Sequence, residues 1–427
     1  MNYVIGLDVG TSSVKGVLMD ENKNIISTET IKHKYYYENN LKLLNADEFC
    51  DGCINAIKLL ASKANGKVLG ICASGASGNL MLFGKENSPV YNWQNSFDKE
   101  IVDKYLGKYD TSEMRKIVGW GKNYGFPLAT LAYLKDTNPE CIENADMICM
   151  SIEYLNYRLT GKWGITRSMG TPFYLINQET GKYHKDFLDI LNITEDKLPP
   201  ILENCSVLGC LTKKAAQETG LSEDTKVIPG TFDHPAAARG SGAFDKGEVL
   251  LSCGTSWVAL TPFENRCEPL ERSMLVDPFM SPNGNWCGMR SIPSISDKID
   301  TCKNKYFPNM SYREFDVLVG KSELGAGGVV VNLDCPEDIP SGTPDKHIAR
   351  AIAEAAANKL KDMLVSLNIE VKKVKFVGGI SKSKEWLSVI GEVCNVAVEV
   401  VNGECAGAAG SALMARVGVG MTKSEKD

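Results

Sequence analysis

The chain has 427 residues, of which 43% are hydrophobic and 23% charged, proportions typical of a soluble globular protein. Its formal net charge of −6 gives no electrostatic footprint for nucleic acid or for an anionic membrane surface. No apolar run approaches the roughly 20 residues of a membrane span, and the N-terminus lacks the pattern of a signal peptide. We therefore expect a cytoplasmic protein with no nucleic-acid or membrane partner.

The first third of the chain predicts the start of an α/β domain. Residues 3–31 are typical of three antiparallel strands, followed by a helix around 46–64 and a buried strand at 68–73. A meander followed by a helix and a strand is how a ribonuclease-H-like core begins.

The cysteines and histidines do not predict a metal centre. The sequence has fourteen cysteines and four histidines, and the histidines are scattered. Cys50 and Cys53 form a C-x-x-C pair that opens a helical pattern without a second pair at zinc spacing. We interpret most cysteines as small buried apolar residues.

A strand–turn–strand pattern opens the chain and recurs past its middle. Gly10-Thr11-Ser12 follows the apolar run 3–7, and Gly254-Thr255-Ser256 follows the run 248–251. Such a turn offers backbone N–H groups and hydroxyls where no Cβ blocks close approach, as a polyphosphate requires. Each turn alone also fits an ordinary hairpin, but the pair predicts a duplicated domain that binds one nucleotide from both sides.

Two charged residues flank the first turn. Asp8 ends the first strand, where an acid beside a Gly-Thr turn can hold Mg²⁺ directly or through water. Lys15 either adds charge toward the phosphates or is solvated at an edge strand. The second copy carries Ser252 in place of Asp8, so only one half would supply the metal carboxylate.

Asp233 lies at a predicted strand-to-helix junction. Residues 226–230 predict the strand, and Pro235 lies in the first turn of the helix that follows. An ionised carboxylate is favoured at this positive end and can accept a hydroxyl proton in phosphoryl transfer to an alcohol. A helix-capping aspartate is the alternative, and we interpret His234 as a turn or cap residue.

The last third predicts a second α/β segment. Residues 348–367 form an amphipathic helical pattern with Arg350 and Glu354 off the apolar face. A strand at 374–377 leads into Gly378-Gly379-Ile380-Ser381, whose bare glycines would let an adenine or ribose lie flat on the backbone. An Ala/Gly-rich helix at 405–417 permits close packing.

Together these segments resemble the FGGY carbohydrate kinases, the xylulokinase- and glycerol-kinase-like branch of the actin and hexokinase superfamily. The resemblance lies in five stretches spread over both halves: GLDVGTSSVKGVLMD (6–20), PGTFDHPAAARGSGA (229–243), GEVLLSCGTSWVAL (247–260), FVGGISKSKEWL (376–387) and ECAGAAGSALMARVG (404–418). It implies an α/β fold of two ribonuclease-H-like, actin-like ATPase domains, residues 1–243 and 244–427, with an interdomain cleft.

The resemblance also implies a chemistry and its residues. ATP and Mg²⁺ would be the cofactors, a small sugar or polyol the substrate, and a homodimer the assembly. Asp233 would be the general base that prepares a sugar hydroxyl for attack on the γ-phosphate, and Asp8 the metal-associated acid. The nucleotide contacts would be Gly10, Thr11, Ser12, Ser13, Lys15, Gly254, Thr255, Ser256, Gly378, Gly379 and Ser381. The substrate contacts would be Ser77, Gly78, Trp93, Asn95 and Asp233.

The sugar side departs from the family pattern. Ala76-Ser77-Gly78 stands where many ketose kinases of the family carry Gln-Met-His. Asn95 replaces an acid and Phe97 an arginine, while Trp93 remains as either a stacking surface or a core residue. A glycine-rich family segment is also replaced, by residues 290–295. These changes indicate either an unusual substrate or weak sugar binding.

Two functions therefore remain open at the level of sequence. The first is a sugar kinase that transfers phosphate to a ketose such as xylulose or to a polyol. The second is a catalytically weak relative that acts as a nucleotide- or sugar-binding regulatory protein. An ATPase that drives a partner protein is disfavoured, because nothing in the sequence suggests a partner-binding tail.

Overall fold

The structure of the chain, a computed structural model, describes residues 1–280, 284–401 and 403–427. It is an α/β protein, as the sequence predicts. Its strands are β1 (Asn2–Val9), β2 (Ser13–Asp20), β3 (Ile25–Lys32), β4 (Tyr35–Glu38), β5 (Leu41–Leu44), β6 (Lys67–Gly75), β7 (Met81–Phe83), β8 (Val90–Tyr91), β9 (Met147–Cys149), β10 (Ile165–Thr166), β11 (Ile176–Asn177), β12 (Lys182–Tyr183), β13 (Ile201–Leu202), β14 (Gly209–Cys210), β15 (Lys226–Phe232), β16 (Glu248–Cys253), β17 (Trp257–Phe263), β18 (Leu275–Asp277), β19 (Trp286–Ile292), β20 (Lys373–Gly378) and β21 (Val398–Val400). Its helices are α1 (Ala46–Ala61), α2 (Lys99–Leu106), α3 (Thr111–Val118), α4 (Pro127–Thr137), α5 (Pro139–Glu143), α6 (Ser151–Thr160), α7 (Arg167–Phe173), α8 (Lys185–Leu191), α9 (Lys213–Thr219), α10 (Asp233–Gly240), α11 (Cys267–Glu271), α12 (Ile295–Tyr306), α13 (Tyr312–Val319), α14 (Asp345–Ser366), α15 (Lys384–Cys394) and α16 (Ala406–Gly418).

The first of two compact units comprises Met1–Gly242, Asn265–Cys287 and Cys405–Asp427. Its main sheet runs β14-β15-β6-β1-β2-β3. β1 pairs antiparallel with β2 and parallel with β6, which in turn pairs parallel with β15. Val4, Ile5 and Leu7 of β1 are fully buried, because the strand lies in the middle of the sheet.

Helix α16 packs against the first sheet and α10 through small residues. A Cβ added at Gly6 of β1 would lie 2.0 Å from the Ala408 carbonyl oxygen, and one added at Gly410 would lie 1.8 Å from the Ala236 carbonyl oxygen. Only glycine permits these two approaches of backbone to backbone. The close packing predicted for this helix is confirmed, and it brings the start of α16 to the end of β1.

The second unit comprises Ala243–Glu264 and Gly288–Glu404. Within it the sheet runs β19-β17-β16-β20-β21. β16 pairs antiparallel with β17 and parallel with β20. The order third, second, first, fourth, fifth strand is also the order of β3-β2-β1-β6-β15, so the two units repeat one topology.

The two units are not continuous halves of the chain. The sequence placed the boundary after residue 243, and the first segment of the first unit ends at Gly242. Asn265–Cys287 and Cys405–Asp427 lie in the first unit, although they follow that boundary in the chain. The return of Cys405–Asp427 follows from the packing of α16 on β1 and α10.

Helix α14 has the buried face that the sequence predicts, but Arg350 is not off that face. Ile352, Ala356 and Leu360 are fully buried, and Arg350 is only 3% exposed. Its guanidinium binds Glu354 Oε1 at 2.7 Å and also Glu392 of α15. A buried arginine is tolerated because both carboxylates pair with it.

A small sheet that the sequence analysis did not predict runs β4-β5-β8. Its hairpin turns at Asn39 and Asn40, which have φ values of 49° and 63°. Two residues with positive φ are the mark of a tight hairpin turn, and asparagine tolerates that conformation well.

Two further expectations concern cysteines and membranes. Cys50 and Cys53 are fully buried in α1, as expected for structural residues. In the part of the chain that the structure describes, no helix combines the length and apolarity needed to cross a bilayer.

Candidate active site

The first glycine turn closes the β1–β2 hairpin. Gly10 N–H donates to the Ser13 carbonyl at 3.0 Å, which leaves Thr11 and Ser12 at the tip. His33 N–H at the end of the neighbouring strand donates to the Ser12 carbonyl at 3.0 Å. The turn is therefore fixed by the sheet while Ser12 stays exposed.

Asp8 lies at the end of β1, directly before this turn. Its Oδ1 is buried without a hydrogen-bond partner among the described residues. Burial first, and then the charge of Asp233, raise the pKa of Asp8 to about 7, against the opposing charge of Lys15. Lys15 is the residue opposite Asp8 in the β1–β2 ladder.

Gly407 in the first turn of α16 supports the Asp8 carboxyl from behind. A Cβ on Gly407 would lie 2.5 Å from Asp8 Oδ2, so any larger residue would push the carboxyl away. The sequence analysis missed this role. The glycine pattern of the last helix was the available signal, but it did not tell which glycine faces the site.

Asp233 is the first residue of α10 and follows β15 directly. Its Oδ1 accepts the His234 N–H at 2.8 Å. Because the charge of Asp233 contributes to the raised pKa of Asp8, the structure brings the two predicted carboxylates together. The hydrogen bond from His234 is with the next residue and is not a helix cap, since the N-cap position is Phe232 and no side chain caps the helix.

Buried hydroxyls hold the strands behind the two carboxylates in register. Ser411 Oγ of α16 lies 2.8 Å from both the Leu7 carbonyl oxygen and Ser74 Oγ. Ser74 Oγ in turn accepts the Thr231 N–H at 3.2 Å, two residues before Asp233. Thus α16 links the end of β1 to the end of β15.

The residues around Asp8 fit Mg²⁺ of the kind that a nucleotide brings. Within the described ranges, no group of three or more His, Cys, Asp or Glu residues could hold a metal ion. Mg²⁺ in nucleotide enzymes is commonly bound through one or two carboxylates, with phosphate and water oxygens supplying the rest. The unpartnered oxygen of Asp8 matches that donor set as its one protein carboxylate.

The residues predicted to contact the sugar differ from one another in exposure and contacts. Trp93 is 37% exposed, and its Nε1–H donates to Thr11 Oγ1 at 2.9 Å, so it adjoins the first turn. Gly78 has a φ of 73° and is packed under Phe126, which gives it a role in the turn. Ser77 beside it is half-buried.

Asn95 and Phe97 are structural residues. Asn95 Oδ1 accepts the Lys42 N–H at 2.8 Å, and Asn95 Nδ2 donates to the Lys42 carbonyl at 3.1 Å. Phe97 is 5% exposed and packs on Tyr133 with ring centroids 4.8 Å apart. We therefore assign the Asn95 side chain to the architecture of its loop and not to the substrate.

In the second unit, the second glycine turn and the loop Gly378-Gly379-Ile380-Ser381 lie side by side. Cys253, which precedes Gly254, pairs with Gly378 across the parallel strands β16 and β20. Gly378 has a φ of 102°, and a Cβ there would lie 2.5 Å from the Cys253 carbonyl oxygen. A Cβ on Gly379 would meet nothing within 4 Å, so its outer face is open.

The rest of this half-site consists of exposed or hydroxyl-bearing residues. Gly254 and Thr255 are exposed and Ser256 is half-buried. Ser381 Oγ donates to the Gly378 carbonyl at 2.7 Å and so supports the loop from within. The predicted phosphate and adenosine residues of the second unit thus lie at one edge of its sheet.

Ser294 and Ser296 at the start of α12 support the second turn and were not predicted. Ser296 Oγ donates to the Gly254 carbonyl at 2.7 Å, and Ser294 N–H donates to Ser256 Oγ at 3.1 Å. Ser294 belongs to the segment in which the sequence departs from the FGGY pattern, and Ser296 follows it directly.

Comparison with known proteins finds one family whose profiles match both halves of the chain. The profile of the FGGY family of carbohydrate kinases matches residues 3–240 with its N-terminal domain and residues 324–419 with its C-terminal domain. A xylulose kinase of Staphylococcus epidermidis is 25% identical over 450 residues, which cover 99% of this chain and 89% of the relative.

Solved structures share the fold. A ligand-bound xylulose kinase from Lactobacillus acidophilus aligns with a TM-score of 0.90 at 20% identity, over 100% of this chain and 91% of the other. A gluconate kinase from the same organism aligns with a TM-score of 0.88 at 20% identity, over the same shares. These likenesses confirm the predicted fold of two actin-like domains.

Proposed function

The chain belongs to the FGGY family of carbohydrate kinases, and on that premise we propose that it phosphorylates a small neutral ketose such as xylulose, or a related polyol, with Asp233 as general base. A sugar phosphotransferase that uses ATP is what the sequence analysis predicted, and the family and the named relatives confirm it. They do not favour the regulatory alternative.

The observation that carries the assignment of the base is the pairing of Asp233 with Asp8. Asp8 directly precedes a glycine turn, Asp233 begins a helix of the same unit, and the charge of Asp233 contributes to the raised pKa of Asp8. Asp233 accepts the proton of a sugar hydroxyl while the hydroxyl oxygen bonds to the γ-phosphorus and the bond to ADP breaks. Asp8 is held differently, because its carboxyl is backed by Gly407 and has one buried, unpartnered oxygen.

Mg²⁺, when bound with ATP, would be held on the first unit by Asp8 and would neutralise charge on the phosphates. Gly10, Thr11, Ser12, Ser13 and Lys15 supply amides, hydroxyls and one ammonium for the same phosphates. This role of the first turn is supported by its exposure and by its place directly after Asp8.

The second unit supplies the other nucleotide contacts. The Gly254-Thr255-Ser256 turn binds phosphate oxygens, and Gly378 and Gly379 receive the nucleoside, with Ser381 holding their loop. The open face of Gly379 supports this assignment, since a nucleoside can lie against backbone only where no side chain intervenes.

The residues on the predicted sugar side, Ser77, Trp93, Asn95 and Phe97, support a neutral substrate. Where the family pattern has an acid and an arginine, this chain has Asn95, which is bonded to the Lys42 backbone, and buried Phe97. Neither position offers a charged partner, so the substrate carries no carboxylate that requires one. Trp93 offers a partly exposed ring for the apolar face of a sugar, and Ser77 an adjacent hydroxyl.

The experiment is a substrate comparison with purified protein and Mg-ATP. ADP release is measured with xylulose, glycerol or gluconate, and the phosphorylated product is identified by mass spectrometry. We expect ADP and sugar phosphate in equal amounts with xylulose, less with glycerol and none above background with gluconate. Preference for gluconate would contradict the neutral-substrate assignment, and ADP release that no sugar stimulates would contradict the kinase assignment.

The homodimer implied by the resemblance stays a prediction. Light scattering at the concentration of the kinetic assay tests it, and a mass of twice 46.6 kDa is the expected result.

A further inference from the structure

Thr11, at the tip of the first turn, is held by two side chains from outside its hairpin. Trp93 Nε1–H donates to Thr11 Oγ1 at 2.9 Å. The Tyr35 hydroxyl donates to the Thr11 carbonyl oxygen. A turn that only joined two strands would not need either contact, since Gly10 N–H and the Ser13 carbonyl already close it.

These two side chains come from a rigid support. Tyr35 lies on β4, and its oxygen accepts Asn92 Nδ2–H at 3.2 Å. Burial raises the pKa of Tyr35 to about 12, so its hydroxyl stays protonated and donates. Asn92 is 3% exposed and begins the loop that carries Trp93, and Asn95 ties that loop to Lys42 of β5 through two hydrogen bonds.

The hydrogen bond between Trp93 and Thr11 can form with only one donor. An indole N–H donates and cannot accept, whereas a hydroxyl has one hydrogen to donate and two lone pairs to accept with. Thr11 must therefore be the acceptor, and its own hydrogen stays available for another group. The hydrogen bond takes one lone pair and so limits the directions in which that hydrogen can point.

We propose that Trp93 is a positioning residue for phosphate transfer, which fixes the Thr11 hydroxyl as a hydrogen-bond donor to a phosphate oxygen of the nucleotide. This deepens the proposed function and rests on it for the identity of the ligand. Trp93 then has two roles, since its partly exposed ring remains available to the sugar while its N–H orients a phosphate contact. This second role explains why Trp93 matches the family pattern although the two charged residues that follow it in that pattern are absent here.

A double-mutant cycle tests the proposal through binding alone. The probe is the non-hydrolysable β,γ-imido analogue of ATP with Mg²⁺, titrated by calorimetry without sugar into wild type, Trp93→Phe, Thr11→Val and the double variant. Because the Thr11 contact is to a charged group, we expect Thr11→Val to weaken binding by about tenfold or more. Trp93→Phe keeps an aromatic ring, although a smaller one, but loses the N–H, and we expect a loss of about three- to tenfold in affinity.

The decisive result is the double variant. If Trp93 acts through Thr11, the double variant binds no more weakly than Thr11→Val, and Thr11→Ser binds like wild type. Unchanged affinity in Trp93→Phe, or losses that multiply in the double variant, would overturn the proposal. Trp163→Phe is the matched control, since Trp163 stacks on Tyr157 with centroids 4.2 Å apart and should leave affinity unchanged.

Failure of the proposed function is distinguishable from failure of this inference. A wild-type protein that binds the analogue but phosphorylates no sugar contradicts the function and leaves the cycle decisive. A wild-type protein that does not bind the analogue at all would overturn both. Thermal unfolding of each variant, with midpoints equal to that of wild type, assigns the affinity changes to the contact itself.

Discussion

The contact between α10 and α16 gives a quantitative prediction, because the two helices touch through glycine. In Gly410→Ala the new Cβ would lie 1.8 Å from the Ala236 carbonyl oxygen and 3.0 Å from the Gly240 nitrogen, both backbone atoms of α10. Ordinary contact needs roughly 3.4 to 4 Å, so the helices must separate by more than 1 Å, which a packed core resists. A rotamer change cannot relieve a clash between a Cβ and backbone.

The expected cost follows from two opposing effects. Alanine is favoured over glycine inside a helix by about 1 kcal/mol, whereas forcing a methyl group into a packed core costs about 1 to 3 kcal/mol or more. Because the clash is with backbone, the second effect prevails, and we expect a net loss of about 2 kcal/mol. In a domain of this size that lowers the thermal midpoint by about 4 to 8 °C.

Activity should fall more than stability. α10 begins with the proposed base, and misplacing a reacting group by about 1 Å can cost on the order of a hundredfold in rate. We therefore expect the kcat of folded Gly410→Ala to be about a hundredfold below that of wild type. Circular dichroism at the assay temperature shows whether the variant is folded when kcat is measured.

Gly52→Ala is the matched control. Gly52 lies inside α1 of the same unit, and its Cβ would meet only Ile31 Cγ2 at 3.9 Å, an ordinary contact. We expect this variant to unfold at the wild-type temperature or about 1 to 4 °C above it, with unchanged kcat. If Gly410→Ala is as stable and as active as Gly52→Ala, the packing argument is refuted.

Two further predictions concern the nucleotide loop and a buried acid. Gly379→Ala should keep the wild-type thermal midpoint but weaken binding of the imido analogue of ATP by about tenfold, because a Cβ there meets no protein atom within 4 Å and would occupy the space proposed for the nucleoside. Gly378→Ala should lower both the thermal midpoint and the affinity, because its Cβ would lie 2.5 Å from the Cys253 carbonyl oxygen at a φ of 102°. Equal behaviour of the two variants would contradict the assignment. Burial raises the pKa of Glu153 from 4.5 to about 8, so its contribution to stability is full below pH 4.5 and is lost as the pH rises through 8. The side chain introduced in Glu153→Gln does not titrate, so the free energy of unfolding of this variant should rise relative to that of wild type between pH 5 and 9, by up to about 4 kcal/mol. Urea unfolding at each pH measures this difference, and a difference that does not change with pH would contradict the raised pKa of Glu153.

Sequence reasoning succeeded where the signal was local. Three elements depend on residues within a few positions of one another, and the structure has all three. They are the hairpin that turns at Gly10, the helix that starts at Asp233 and the strand before Gly378. The repetition of the glycine turn predicted a duplicated domain, and the structure has the same strand order in the two units.

It failed where a residue's role depends on partners far along the chain. Arg350 is buried because Glu392, 42 residues away, pairs with it. Asn95 is committed to the backbone of Lys42, 53 residues away, and Gly407 matters because Asp8 lies against it. The strand that carries Tyr35 could have been predicted from the sequence, because the two asparagines after it mark a hairpin turn.

The most direct test of the account is single-turnover phosphate transfer by Asp233→Asn with saturating xylulose and Mg-ATP. A general base contributes about 10² to 10⁴ in rate, so we predict a rate about 10³-fold below wild type, with unchanged affinity for the imido analogue of ATP. Asp224→Asn, at an exposed aspartate of the same unit, should transfer phosphate at the wild-type rate. Transfer by Asp233→Asn at the rate of the Asp224→Asn control would contradict the assignment of Asp233 as the base.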